Sequence, residues 1–170
     1  MSIVTKKGDG GNTFLPGKTE AVQKDHPRIE CLGALDELDA FLVVSEISLM
    51  VNGSSPAAKV ISEIRKELST VVMPAAAGSL VIDIPGLNTD WLERQIIKME
   101  EKNPLRGFVR TWTRAAAANL NAARSICRRA ERRMTSAAKS GQENAGAALL
   151  PWLNRLSDLL FMLAVSEELR

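Results

Sequence analysis

A chain of 170 residues with 45% hydrophobic and 25% charged residues suits one globular domain with a sizeable core and leaves little room for global disorder. The formal charge of +2 points neither to nucleic acid nor to an anionic membrane, so only local clusters of charge are informative. Two cysteines without a CxxC partner exclude a zinc or disulfide framework, and the absence of a secretory signal or an apolar run of about 20 residues leads to the expectation of a cytoplasmic protein without a membrane span.

The first 27 residues are rich in glycine and include "KKGDGGNTFLPGKT", Lys6 to Thr19. Its last three residues resemble the end of a P-loop, but Asn12 stands where that motif needs its first glycine, and Gly11 lies one residue too far back. No buried strand precedes it and a proline soon follows, so the glycines need another use. His26, just before Pro27, reads as a surface or capping residue.

Residues 28–51 read as a long first helix ending at "NGSSP", where Ser55 is expected to cap a second helix that starts at Pro56 and runs to about Val72. "MPAAAGSLVIDIPGLN" reads as irregular, after which Asn88-Thr89-Asp90 caps "WLERQIIKMEEK", ended by Pro104 and Gly107. Thr113–Lys139 is the strongest helix, closed by Ser140-Gly141. The last covers residues 145–168, with Pro151 either kinking it or marking its true first turn. The expected fold class is all-α: a five-helix up-and-down bundle at 28–170 behind an N-terminal loop segment at 1–27, one domain overall and without internal repeats.

Helical faces then expose polar groups in unexpected places. In the first helix Ile29, Leu32, Asp36, Asp39, Val43 and Ile47 share a band. Its aspartates should either pair with a cation from another element or lie at an oligomer edge. In the fourth helix Leu120, Ala123, Cys127, Ala130 and Met134 form a core stripe, flanked by a ridge of Arg124, Arg128, Glu131 and Arg132, while Arg129 and Arg133 point elsewhere. Such a ridge suits an anion or a buried carboxylate, or else a solvated set of ion pairs. The fifth helix is apolar on two faces and therefore central or intersubunit, with Asn154 and Ser157 set into one of them. Trp91, Trp112 and Trp152 read as packing residues, of which Trp112 alone is placed to touch a ligand.

Together "KKGDGGNT", "KDHPRIECLGALDELD", "ARSICRRAERR" and "LNRLSDLLF" resemble, in order and spacing, the PduO-type ATP:cob(I)alamin adenosyltransferases. The resemblance implies a ferritin-like five-helix bundle, a homotrimer with sites between subunits, and transfer of the 5′-deoxyadenosyl group of ATP to the Co(I) of a reduced corrinoid, releasing triphosphate. ATP, Mg²⁺ and cobalamin are thus the implied ligands, and a reductase and an adenosylcobalamin-dependent enzyme the implied partners. The loop from Thr5 to Thr13 corresponds to the nucleotide loop, with Thr5, Lys6, Lys7, Gly8, Asp9, Gly11 and Thr13 around the nucleotide and Lys24 reaching the triphosphate. Arg128 matches the phosphate-binding arginine, with Glu131 and Arg132 beside it, and Asn154 a nucleotide contact. Catalysis would fall to Arg128 and Lys24. Phe108 matches a corrinoid-pocket residue, Asp36 and Arg124 an intersubunit salt bridge, and no protein ligand for the metal is assigned.

The chain departs from the family after Phe108, where it reads "VRTWTRAAAANLN" with Asn121 in the place of a histidine, and Asp39 replaces the motif's last asparagine. Two alternatives stay open at this point: a non-catalytic ATP- or corrinoid-binding member, and a helical nucleic-acid binder using the arginines of the fourth helix. Glu131 within the ridge and the lack of tyrosine for base stacking speak against the second.

Overall fold

The computed structural model describes residues 4, 6–15, 19–78, 84–105, 107, 111–139 and 148–170. An antiparallel hairpin of β1 (Asn12–Phe14) and β2 (Ala21–Gln23) precedes α1 (Pro27–Val51), α2 (Ser55–Glu67), α3 (Met73–Ala77), α4 (Thr89–Lys102), α5 (Ala115–Lys139) and α6 (Leu149–Glu168). A π-helical turn, Leu68–Val72, joins α2 to the short α3, so five helical rods result. The expected loop segment thus contains a small sheet, with Thr13 opposite Val22.

Local chemistry explains the boundaries. His26 is the N-cap of α1, its imidazole accepting from Arg28 N at 3.2 Å, and Pro27 follows at a position where its missing N–H costs nothing. Asn88 caps α4 by accepting from Trp91 N at 3.1 Å. Pro151 stands in the first turn of α6 rather than at a kink. Pro74 lacks an N–H and its ring crowds the carbonyl four residues back; the wider turn ahead of it lets the rod continue through Met73–Ala77, a stretch expected to be irregular. Helix α2 begins at Ser55 after Ser54, whose hydroxyl does not cap it and donates instead to the buried Glu167 at 2.5 Å. The predicted stop at Ser140-Gly141 lies outside the described residues.

Backbone packing joins α2 to α1, α1 to α5, α5 to α6 and α6 to α4. Helix α6 is buried on almost every side, with Trp152, Leu153, Leu156, Leu160 and Leu163 at 0% exposure, so it is the central helix that its two apolar faces required. By length and composition it is also the one described helix apolar enough to cross a bilayer, which the sequence reading had excluded; its faces are taken up by the core instead. The α5 stripe of Leu120, Ala123, Cys127, Ala130 and Met134 is buried as expected. Both cysteines are free and buried, and burial raises the Cys31 thiol to about 11.

The buried face of α1 differs from expectation. Cys31, Ala34, Leu35, Leu38, Leu42 and Leu49 meet the core, whereas Asp36 and Ile47 of the predicted band are exposed. Acidic residues are spread round α1 at Glu30, Asp36, Glu37, Asp39 and Glu46, so periodicity alone could not select the inner face. Asp39 pairs with Arg65 of α2 at 3.1 Å, and Glu46 accepts from the same guanidinium at 2.8 Å. Arg28, only 4% exposed, closes the other end of the core by donating to Ala76 O at 3.1 Å and Ala77 O at 2.8 Å, carbonyls left unpaired where α3 ends.

Candidate functional site

The hairpin delivers the glycine-rich residues to the start of α1. Gly11 takes φ +77°, a conformation that costs a side chain energy, and accepts from Lys24 N at 2.9 Å, which ties the loop to the end of β2. Gly8 lies so close to Lys24 that an added Cβ would stand 3.2 Å from Nζ. Glycine here therefore makes room for the ammonium group. Lys6, Lys7 and Asp9 are exposed at the tip of the turn. Thr5 lies outside the described residues.

Thr13 and Lys24 border an open cavity of about 580 Å³ between the hairpin, α1 and α5. Ile29, Gly33 and Ala34 form its floor from α1, and Arg129 and Arg133 reach it from α5. Those arginines, expected to point elsewhere, face the acidic edge of α1: Arg133 pairs with Glu30 at 3.2 Å and Arg129 with Glu37. Glutamates seven residues apart on α1 and arginines four apart on α5 share facing helical sides, which sequence spacing would have revealed had the two helices been known to be neighbours.

The other side of α5 faces α6 and carries a second polar cluster. Arg128 is exposed there, and its field acts on Asp158 of α6. Burial, opposed by Arg155 and Arg128, holds the Asp158 carboxyl above its ordinary range. Glu131 accepts from Asn154 Nδ2 at 3.3 Å, and Asn154 Oδ1 accepts from Arg155 Nη1 at 2.8 Å. Arg132 turns back along its own helix to donate to Arg128 O at 3.0 Å. The structure therefore gathers Arg128, Glu131 and Asn154 on the α6 side of α5 but sets Lys24 and Thr13 at the cavity on its α1 side. Arg155 and Asp158, which were not singled out from the sequence, belong to this second cluster; Asp158 stands one helical turn after Asn154, and that spacing was the available signal.

Asp36 and Arg124 do not meet within the chain. Asp36 is exposed without an ion pair among the described residues, and Arg124 Nε donates to Asn121 Oδ1 of its own helix at 3.0 Å. Asp36 instead opens an outward stripe continued by Val44, Ile47 and Val51, which are 46%, 56% and 81% exposed. Phe108 lies outside the described residues. Beyond it Trp112 packs edge-on against Phe161 with ring centroids 6.2 Å apart, and Thr113 N and Arg114 N donate to Glu168, fastening the start of α5 to the end of α6.

The family model described as cobalamin adenosyltransferase matches residues 3–167. Among curated relatives, the corrinoid adenosyltransferase PduO of Salmonella typhimurium is 32% identical over 99% of this chain and 50% of its own length. The corrinoid adenosyltransferase of Bacillus subtilis is 33% identical over 96% of this chain and 85% of its own. The chain thus spans about half the length of the PduO relatives from Salmonella typhimurium and Citrobacter freundii. Among solved structures, a variant PduO-type ATP:corrinoid adenosyltransferase from Lactobacillus reuteri, complexed with cobalamin and ATP, has a TM-score of 0.85 and 27% identity, covering 99% of this chain and 91% of that one.

Proposed function

The chain belongs to the cobalamin adenosyltransferase family, and from that premise we propose that it transfers the 5′-deoxyadenosyl group of ATP to the Co(I) of a reduced corrinoid, giving adenosylcobalamin and triphosphate. Cobalt forms the new bond to the 5′ carbon as the bond from that carbon to the triphosphate oxygen breaks, so no side-chain nucleophile is required. The protein's work is to align carbon with cobalt and to stabilise the charge that builds on the departing triphosphate. The observation that supports this most is that the hairpin brings Thr13 and Lys24 to the rim of one open cavity, in a chain whose family match runs almost end to end.

In this reading residues 1–27 form the nucleotide segment in front of the bundle at 28–170. Thr5 to Thr13 surround the phosphates with backbone N–H groups, Lys24 and Arg128 neutralise them, and Glu131, Arg132 and Asn154 complete the nucleotide side. Mg²⁺, where it accompanies ATP, would take ligands from the triphosphate oxygens. Phe108 lines the corrinoid side.

Lys24 and Arg128 stand on different sides of α5 in one chain, so a site that uses both draws one of them from a second copy. A homotrimer meets this requirement, each interface facing the hairpin cavity of one copy toward the α6 side of α5 in the next, with Asp36 bound to Arg124 of the neighbour. The outward apolar stripe of α1 supports such an assembly. The reading also includes a cytoplasmic location, with a reductase supplying Co(I) and an adenosylcobalamin-dependent enzyme receiving product.

The test is anaerobic incubation with ATP, Mg²⁺ and chemically reduced cobalamin, following loss of the Co(I) absorbance and the appearance of light-sensitive adenosylcobalamin. Product is the expected result. ATP binding without product would leave a binding protein that has lost the corrinoid half of its site.

A further inference from the structure

Asn154 sits in the middle of a hydrogen-bond chain that crosses three helices. Arg155 Nε donates to Glu93 Oε1 of α4 at 2.8 Å, Arg155 Nη1 donates to Asn154 Oδ1 at 2.8 Å, and Asn154 Nδ2 donates to Glu131 Oε1 of α5 at 3.3 Å. A guanidinium only donates and a carboxylate only accepts. The amide between them consequently has one permitted orientation, carbonyl toward Arg155 and NH₂ toward Glu131; the reverse would set donor against donor and acceptor against acceptor. One N–H and one carbonyl lone pair remain for a ligand.

We propose that Arg155, braced by Glu93, is a positioning residue for the nucleotide: it holds the Asn154 amide in the orientation in which ATP meets it. The inference deepens the adenosyltransferase reading and rests on it for the identity of the ligand. Without Arg155 the Asn154 amide keeps only its 3.3 Å bond to Glu131, so its broad, two-fold terminal torsion is held from one side alone. The Arg155 and Glu93 side chains are 40% and 46% exposed, so as a bare ion pair between α4 and α6 they would do little for the fold. Their geometric consequence is the orientation of the amide.

The experiment measures ATP affinity by calorimetry, and KM for ATP and for the corrinoid, on Arg155→Met, Arg155→Lys and the double exchange of Glu93→Arg with Arg155→Glu. Arg155→Met is expected to weaken ATP binding about tenfold while leaving the KM for the corrinoid and the melting temperature unchanged. Arg155→Lys should recover part of the loss, because an ammonium still donates to the amide carbonyl. The exchange rebuilds the ion pair but not the amide contact, since a glutamate at 155 has no donor; it should stay as weak as Arg155→Met. Unchanged ATP affinity in Arg155→Met, or full recovery by the exchange, would overturn the positioning role. Wild-type protein that fails to bind ATP would instead remove the nucleotide reading together with this inference, whereas tight wild-type binding that survives Arg155→Met removes the positioning role alone.

Discussion

Arg128 and Arg129 are consecutive in α5, yet about 100° of helical rotation gives them different surroundings. On the α1 side Arg129 and Arg133 are already neutralised by Glu37 and Glu30, and Lys24 borders their cavity without an ion pair among the described residues. On the α6 side Arg128 is exposed, while the carboxylate of Glu131 is engaged by the Asn154 amide. One side therefore offers a lysine beside an open loop, and the other an arginine beside an oriented amide. The difference teaches that neither side of α5 by itself gathers both Lys24 and Arg128, which is why the proposed site draws on two copies of the chain.

The sharpest way to break this comparison is to disable each side separately. Arg128→Ala should lower kcat/KM for ATP at least about tenfold with helical content intact, and Lys24→Ala should act similarly. Unfolding and refolding the two inactive variants together should then restore part of the activity, because some interfaces would combine an intact Lys24 with an intact Arg128. No restoration would mean that both residues serve one chain's site. Asp36→Ala comes next: it should shift sedimentation toward the single chain, while changing that chain's own stability by less than about 0.5 kcal/mol, since Asp36 is exposed there. An unaltered assembly would rule out the pairing of Asp36 with Arg124.

Smaller effects sharpen the contrast. Gly8→Ala places a methyl group 3.2 Å from Lys24 Nζ, the flexible end of a side chain that can give way. A rise in the KM for ATP of about two- to threefold is expected from so slight a displacement. Asp158 tests the α6 side by pH. Its carboxyl is held above the ordinary range by burial, against Arg155 and Arg128, so its contribution to stability is present below the unfolded-state pKa and is lost as pH rises through the folded one. Asp158→Asn should thus gain stability relative to wild type on the neutral side of that window and lose the advantage in acid. Urea midpoints measured across the range would show the crossover.

Much of the fold was legible because its signals are local. His26 and Asn88 cap helices through their own side chains, Pro151 marks a first turn, and the buried α5 stripe of Leu120, Ala123, Cys127, Ala130 and Met134 repeats at helical spacing. The inner face of α1 was not legible, since a helix whose acidic residues are spread round it offers periodicity little contrast, and the irregular reading of Met73–Ala77 missed the π turn that accommodates Pro74. Of the residues named from motifs, Thr13 and Lys24 lie at one cavity and Glu131 and Asn154 meet between α5 and α6. Arg129 and Arg133 were set aside because their partners lie about a hundred positions earlier in the chain.

By itself the sequence determined five helical rods, a buried α6, free buried cysteines and the family to which the chain belongs, all properties that follow from spacing and residue type within short windows. Only the tertiary structure decided which face of α1 turns inward, that the arginines of α5 divide between two sides of that helix, that Arg155 orients Asn154, and that Asp36 and Arg124 stay apart within the chain. These depend on which helices become neighbours and at what register, and that is settled by the packing of the whole core.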